Sequence, residues 1–215
     1  ILSNLLLKVK KNNLSLTGTD SEVEMIITSQ VESDETGETT IPAKKFLDIC
    51  RTLPDGAQIT INIDANKAVI RSGKSRFTLS TLAANEFPQS EALNVSQEVS
   101  LKQSTLKKLI DQVQFSMAQQ DVRYYLNGLM LEIDPQHIVT VATDGHRLAI
   151  SKENIATGIS EKRQIIIPRK GVSELSKLLE DTDEPVKLQL GDNLIKVKLG
   201  NITFSSKLID GKFPD

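Results

Sequence analysis

The sequence predicts an α+β protein in which one folding unit is used twice, each copy an antiparallel sheet with helices on one face. Three observations predict it. Short motifs recur in the same order at an almost constant offset. Several runs alternate apolar and polar residues with period two. Three other runs carry apolar stripes at helical spacing, two of them opening at a proline.

The internal repeat sets the domain organisation. Asn4 opens Asn-Leu-Leu-Leu-Lys-Val, and Asn127 opens Asn-Gly-Leu-Met-Leu-Glu-Ile. Thr19-Asp20 is matched by Thr143-Asp144, and Thr40-Ile41-Pro42-Ala43-Lys44 by Ile166-Ile167-Pro168-Arg169-Lys170. Ser80-Thr81-Leu82 is matched by Ser206-Lys207-Leu208, and Glu86-Phe87-Pro88 by Lys212-Phe213-Pro214. The offsets run 123, 124, 126, 126 and 126. A period this long means a duplicated domain rather than a stacked array. The expected domains are residues 1–98 and 99–215.

Within each copy the elements follow from local pattern. Ile59, Ile61 and Ile63 alternate with Thr60 and Asn62; Val186, Leu188 and Leu190 alternate with Lys187 and Gln189; Ile195, Val197 and Leu199 alternate with Lys196 and Lys198. Such alternation predicts strands with one buried and one wet face, as in antiparallel sheets. Pro54-Asp55-Gly56 and Gly191-Asp192-Asn193 read as turns between them. Pro42 and Pro168 stand where a first helical residue would, their φ already set. Phe46, Ile49, Cys50 and Leu53 then form an apolar stripe, and Val172, Leu175 and Leu179 form its counterpart. A third helix is expected over about 103–117, from Leu106, Leu109, Ile110, Val113 and Met117. Its equivalent in the first copy would precede Ile1, so the first domain is expected to lack its start.

Composition narrows the class. The 215 residues are 39% hydrophobic and 25% charged, ordinary for a globular protein of two domains. No apolar run approaches the ~18 residues of a membrane helix, and no secretory leader is evident. Cys50 is the only cysteine, which excludes an intrachain disulfide and a cysteine metal cluster and fits an intracellular, cytoplasmic protein. It reads as a buried structural thiol. His137 and His146 are the only histidines, and neither shows metal-ligand spacing. No Gly-rich phosphate loop occurs. No catalytic residue, metal or cofactor is therefore expected.

The net charge of −2 argues against a generic nucleic-acid binder. Its distribution argues the other way. The helical stretches 42–53, 101–117 and 168–179 hold nine basic residues (Lys44, Lys45, Arg51, Lys102, Lys107, Lys108, Arg169, Lys170, Lys177) against three acidic ones (Asp48, Asp111, Glu174). The rest of the chain is correspondingly acidic. Basic helices beside acidic sheets can attract a phosphate backbone without reading sequence. The competing reading is a protein-interaction module that never meets DNA.

Four longer motifs carry a family resemblance: Asp121-Val122-Arg123-Tyr124-Tyr125-Leu126-Asn127-Gly128, Thr143-Asp144-Gly145-His146-Arg147-Leu148, Ile167-Pro168-Arg169-Lys170-Gly171 and Asp210-Gly211-Lys212-Phe213-Pro214-Asp215. The first copy adds Leu16-Thr17-Gly18-Thr19-Asp20, Phe46-Leu47-Asp48-Ile49-Cys50-Arg51 and Arg71-Ser72-Gly73-Lys74-Ser75-Arg76-Phe77. Over essentially the whole chain these resemble the bacterial DNA sliding clamp, the beta subunit of DNA polymerase III. The resemblance implies a DNA-clamp fold with helices lining the hole of a ring. It implies a non-catalytic processivity factor that encircles duplex DNA, closes as a head-to-tail homodimer and has three domains, the third absent here.

The resemblance also places sites. DNA-facing residues fall on Lys44, Arg51, Arg169 and Lys177, with a second group on Gln119, Gln120, Arg123, Tyr124 and Tyr125. A pocket for short hydrophobic motifs falls on Leu126, Thr143, Gly145, His146, Arg147, Leu148 and Pro214. Its implied partners are the polymerase III catalytic subunit, the clamp loader, other polymerases and repair proteins. The ring contact falls on Lys74, Arg76, Phe77 and Leu79.

Overall fold

In the computed structural model, described for residues 1–88 and 93–214, the chain forms two compact units. They comprise Ile1–Ser21 with Met25–Ser90, and Glu22–Glu24 with Glu91–Asp215. Asp215, the end of the expected second domain and of one resemblance motif, lies outside the described residues.

The first unit orders β1 (Asn4–Lys10), β2 (Asn13–Thr19), β3 (Val23–Gln30) and β4 (Thr36–Pro42) as β4-β1-β2-β3. Helix α1 (Ala43–Thr52) follows, and then β5 (Thr60–Asp64), β6 (Lys67–Ser72) and β7 (Ser75–Ser80) form an antiparallel meander. Leu7, Ile41, Ile49, Ala68, Ile70 and Leu79 make the core, with Phe46, Leu53, Ile61 and Phe77 packed against it.

The second unit opens with β8 (Gln97–Lys102) and α2 (Gln103–Asp111). Then β9 (Gly128–Ile133), β10 (His137–Thr143), β11 (Leu148–Asn154) and β12 (Arg163–Pro168) take the order β11-β10-β9-β12, the counterpart of β3-β2-β1-β4. Helix α3 (Arg169–Leu178) precedes β13 (Pro185–Leu190), β14 (Leu194–Leu199) and β15 (Ile202–Lys207). Here β8 adds a fourth strand beside β13. Gly171 lets α3 lie on this sheet, because a Cβ there would sit 2.3 Å from the Ser206 hydroxyl.

The expected alternation holds in full for the second copy. Val186, Leu188, Leu190, Ile195 and Val197 are completely buried. In the first copy Ile61 is half-buried and Ile63 is 49% exposed. The reason is position: β5 is an edge of its three-stranded meander, whereas β13 is flanked on both sides.

Two expectations about helices need correction. Pro42 and Pro168 are cap residues with extended ψ (114° and 148°), the last of their strands rather than the first of the helices. Their fixed φ suits both roles. The helix expected to reach residue 117 ends at Asp111. Val113 leaves helical geometry at φ −125° while its side chain stays wholly buried, and Gln114–Ser116 form a short 3-10 turn that puts Phe115 outside. Lys102 belongs to β8, so the helices keep eight of the nine basic residues. Those on α2 are neutralised locally, Lys107 by Asp111 at 3.3 Å and Lys108 by Glu153. On α3, likewise, Lys177 pairs with Glu174 at 2.8 Å and Lys170 lies 3.8 Å from Glu22, so the basic bias is a net excess of cations over acids on each helix.

No helix of the described residues is long and apolar enough to cross a membrane.

Candidate functional site

The end of the second unit where β10 turns into β11 gathers most of the expected residues. Thr143 closes β10 and its hydroxyl does two things. It accepts the Gly145 N–H at 3.1 Å and donates to the Arg147 carbonyl at 2.7 Å. Asp144 Oδ1 accepts the N–H groups of His146 (2.9 Å) and Arg147 (3.0 Å), and Oδ2 accepts from Arg147 Nε at 3.0 Å. These bonds, from the two backbone N–H groups first, hold the Asp144 carboxyl below its ordinary range. The hydroxyl proton of Thr143, a residue expected in the pocket, is thus used within the turn. His146 is exposed. The Arg147 guanidinium lies 5.6 Å from the Phe115 ring centre, a cation–π arrangement that, with Asp144, sets its direction.

The loop before β9 packs onto this turn. Asn127 closes it with both side-chain atoms: Oδ1 accepts the Asp121 N–H and Nδ2 donates to the Asp121 carbonyl, each at 2.9 Å. Arg123 forks onto Asp121, Nε to Oδ1 at 3.0 Å and Nη2 to Oδ2 at 2.8 Å. The Arg123 fork and backbone N–H pull the Asp121 pKa from 3.8 to about 2. The same Nη2 reaches the Asp144 carbonyl at 3.4 Å. Gly145, at φ 86°, lies so close that a Cβ would be 2.9 Å from Arg123 Nη2. Arg123 is therefore a strut between loop and turn. Gln119 and Gln120 are exposed, the latter with φ 57°. Tyr124 is 59% exposed, its ring edge-on to the half-buried Tyr125 at 5.9 Å.

Beneath lies an apolar floor of Ala118, Leu126, Met130, Ile166 and Phe213, joined by Tyr125, Val141 and Ile209. Leu126 is almost entirely within it, so it supports the site from below. Leu148, 61% exposed, is the accessible apolar wall, and Pro214 is exposed beside buried Phe213. Ile150 is as exposed as Leu148. It follows at the next outward position of β11, where alternation along the strand could have found it. Phe115 gave no sequence signal of its own, while Met130 and Phe213 lie within the repeated motifs, which did not assign them to the site.

The remaining residues lie apart. Lys44 and Arg51 are exposed and two turns apart on α1, hence on one face. At the repeat offset of 126, Lys44 corresponds to Lys170 and Arg51 to Lys177 on α3. Arg169 is exposed but donates from Nη1 to the Met117 carbonyl at 3.0 Å, and Lys177 pairs with Glu174 at 2.8 Å. Lys74 and Arg76 are exposed at the start of edge strand β7, while Leu79 is turned into the unit's own core and Phe77 packs against it.

Two further expectations change. Cys50 is half-buried rather than buried; burial pushes its thiol pKa up from 9.0, opposite to an activated thiolate. His137 shows no metal-ligand spacing along the sequence. The β9–β10 hairpin instead brings it together with Glu132 and Asp134, their donor atoms within 4.8 Å of one another.

Comparison with known proteins places this geometry. Residues 1–91 match the model of the DNA polymerase III beta subunit N-terminal domain, and residues 100–215 that of its central domain. The chain belongs to the DNA polymerase III beta subunit family. It is 51% identical to the beta sliding clamp of Vibrio cholerae and 49% to that of Escherichia coli K12, each over the whole chain and 59% of the relative. The crystal structure of the beta subunit from Pseudomonas aeruginosa superposes with a TM-score of 0.97 at 49% identity, again over all of this chain and 59% of that one. A sliding clamp from the same organism bound to griselimycin gives 0.95 at 49%, over all of this chain and 58% of its own. The chain thus spans about 59% of these relatives' length. The clamp family's fold accounts for the duplicated α+β units.

Proposed function

We propose that this chain is part of a processivity factor of the bacterial replicative DNA polymerase, a ring that encircles duplex DNA without reading sequence. In this reading the ring tethers the polymerase III catalytic subunit, the clamp loader, other polymerases and repair proteins through the turn after β10. The protein is non-catalytic and cytoplasmic, and closes as a head-to-tail homodimer through β7. Residues 1–98 and 99–215 serve as its first two domains.

The observation that carries the DNA reading is the recurrence of exposed cations at equivalent positions of two equivalent helices, Lys44 with Lys170 and Arg51 with Lys177. A cation repeated through a duplication, on the helices and not on the sheets, suits a sequence-blind phosphate contact. The apolar floor under Leu126, with exposed Leu148 and an oriented Arg147 at its rim, suits a short hydrophobic peptide.

The test replaces Lys44, Arg51, Arg169 and Lys177 with Glu in the full-length protein. Retention on nicked circular DNA and processive synthesis should fall steeply, with the deficit largest at low salt and narrowing as salt screens the lost contacts. Unchanged loading and processivity would leave the protein-interaction reading in its place.

A further inference from the structure

Far from the β10–β11 turn, at the other end of β10, the β9–β10 hairpin holds a histidine and two carboxylates that the function above does not use. His137 Nε2 lies 2.7 Å from Asp134 Oδ2 and 3.7 Å from Glu132 Oε1. The three side chains are only 12–21% exposed.

What separates this set from a chance ion pair is how each carboxylate is held from outside it. Glu132 gives its other oxygen, Oε2, to Lys162 Nζ at 2.8 Å and to Gln164 Nε2 at 2.6 Å, both from β12 and the loop before it. Asp134 gives its other oxygen, Oδ1, to the N–H groups of Gln136 and His137, each at 2.8 Å. One oxygen of each acid is thereby fixed, and the other is aimed at the histidine nitrogen. The hairpin itself is braced, since the Thr157 N–H donates to the Pro135 carbonyl at 3.2 Å. Outer-shell donors that orient ligands toward a common point are the usual support of a protein metal site.

We propose that Glu132, Asp134 and His137 form a site for a divalent transition-metal ion of the zinc type. One imidazole nitrogen and two carboxylate oxygens suit Zn²⁺, whose bonds to such donors are about 2.0–2.2 Å. The same mixed set is a poor match for Mg²⁺, which prefers oxygen and near-ideal octahedral geometry. Three protein ligands leave a fourth position for water. The partial exposure of the set makes the ion exchangeable, and its effect is to pin the hairpin. The site stands apart from the peptide and DNA surfaces, so its test is independent of theirs.

Full-length protein freed of metal with EDTA is titrated calorimetrically with ZnCl₂. The wild type should bind one more equivalent of zinc per chain than His137→Gln. Asp134→Asn keeps Oδ1 for the turn and should lose the same equivalent, so a folding defect in one variant does not decide the outcome. Replacing the orienting pair, as Lys162→Met with Gln164→Leu, should weaken the site roughly 10–100-fold without removing a ligand. Co²⁺ should give visible d–d bands in the wild type that both ligand variants lack. Equal zinc stoichiometry in the wild type and both ligand variants would overturn the proposal.

Discussion

After β2 and again after β10 the chain turns on a threonine whose hydroxyl oxygen accepts the N–H two residues on, at 3.1 Å in both copies. The residue at that position is left-handed in both, Ser21 at φ 76° and Gly145 at φ 86°. Backbone geometry alone therefore does not demand glycine here, since a serine adopts it in the first copy. What demands glycine in the second is Arg123, whose Nη2 occupies the space a Cβ would take. The duplication kept the turn, and the second copy used the vacated volume to dock a guanidinium between its loop and its turn. The meanders differ by the same logic: β5 and β13 share one pattern, but only β13 has a neighbour on each side.

The widest gap between the copies should appear in stability. Leu188 is fully buried in a flanked strand, so Leu188→Ala should cost about 2–5 kcal/mol. Ile61 is half-buried on an edge strand, so Ile61→Ala should cost only about 1 kcal/mol, a fraction of the transfer free energy of a full side chain. Urea unfolding of the two variants in the same background measures both. Equal losses would mean that the first copy's meander is covered in solution as fully as the second's.

The turns offer the next largest effect. Gly145→Ser recreates the first copy's residue, and its φ is one a serine already tolerates. The obstacle is Arg123, which must leave. Affinity for a short hydrophobic clamp-binding peptide should then fall about tenfold, some 1.4 kcal/mol. Adding Arg123→Ala should change it little further, because the two substitutions remove one contact. Additive losses, or an unaltered affinity in Gly145→Ser, would show that the strut does not hold the pocket wall.

These comparisons also mark how far the sequence could be read. The duplication, the strands of the second copy and the helix stripes were legible because periodicity reports burial directly. Ile63 misled because periodicity does not say whether a strand has a neighbour. The end of α2 was missed because Val113 continues a helical stripe while its backbone leaves the helix. Arg147, Leu148 and Gly145 were legible through a motif, but the roles of Asp121, Asp144 and Phe115 were not. They act by orienting other side chains across 2 to 32 residues of chain, as Phe115 does for Arg147, and no local pattern encodes that. Glu132, Asp134 and His137 were passed over for a related reason, since the hairpin and β12 together give them a common focus.

The smallest effect tests the strut itself. Asp121 titrates at about 2 rather than 3.8, first because Arg123 forks onto it and second because the Arg123 N–H adds a backbone bond. A depressed carboxylate pKa contributes stability that is complete above the ordinary value and fades as pH falls through the depressed one. The loop–turn contact should therefore be indifferent to pH between 8 and about 5 and loosen only below about 4. The ¹³Cγ shift of Asp121, followed by NMR, should show a midpoint near 2 in the wild type. In Arg123→Ala the guanidinium is gone but the backbone N–H remains, so the midpoint should move only part of the way back to 3.8. A wild-type midpoint no lower than that of Arg123→Ala would mean that Arg123 is not docked in solution. Gly145 would then have no more reason to be glycine than the first copy's Ser21.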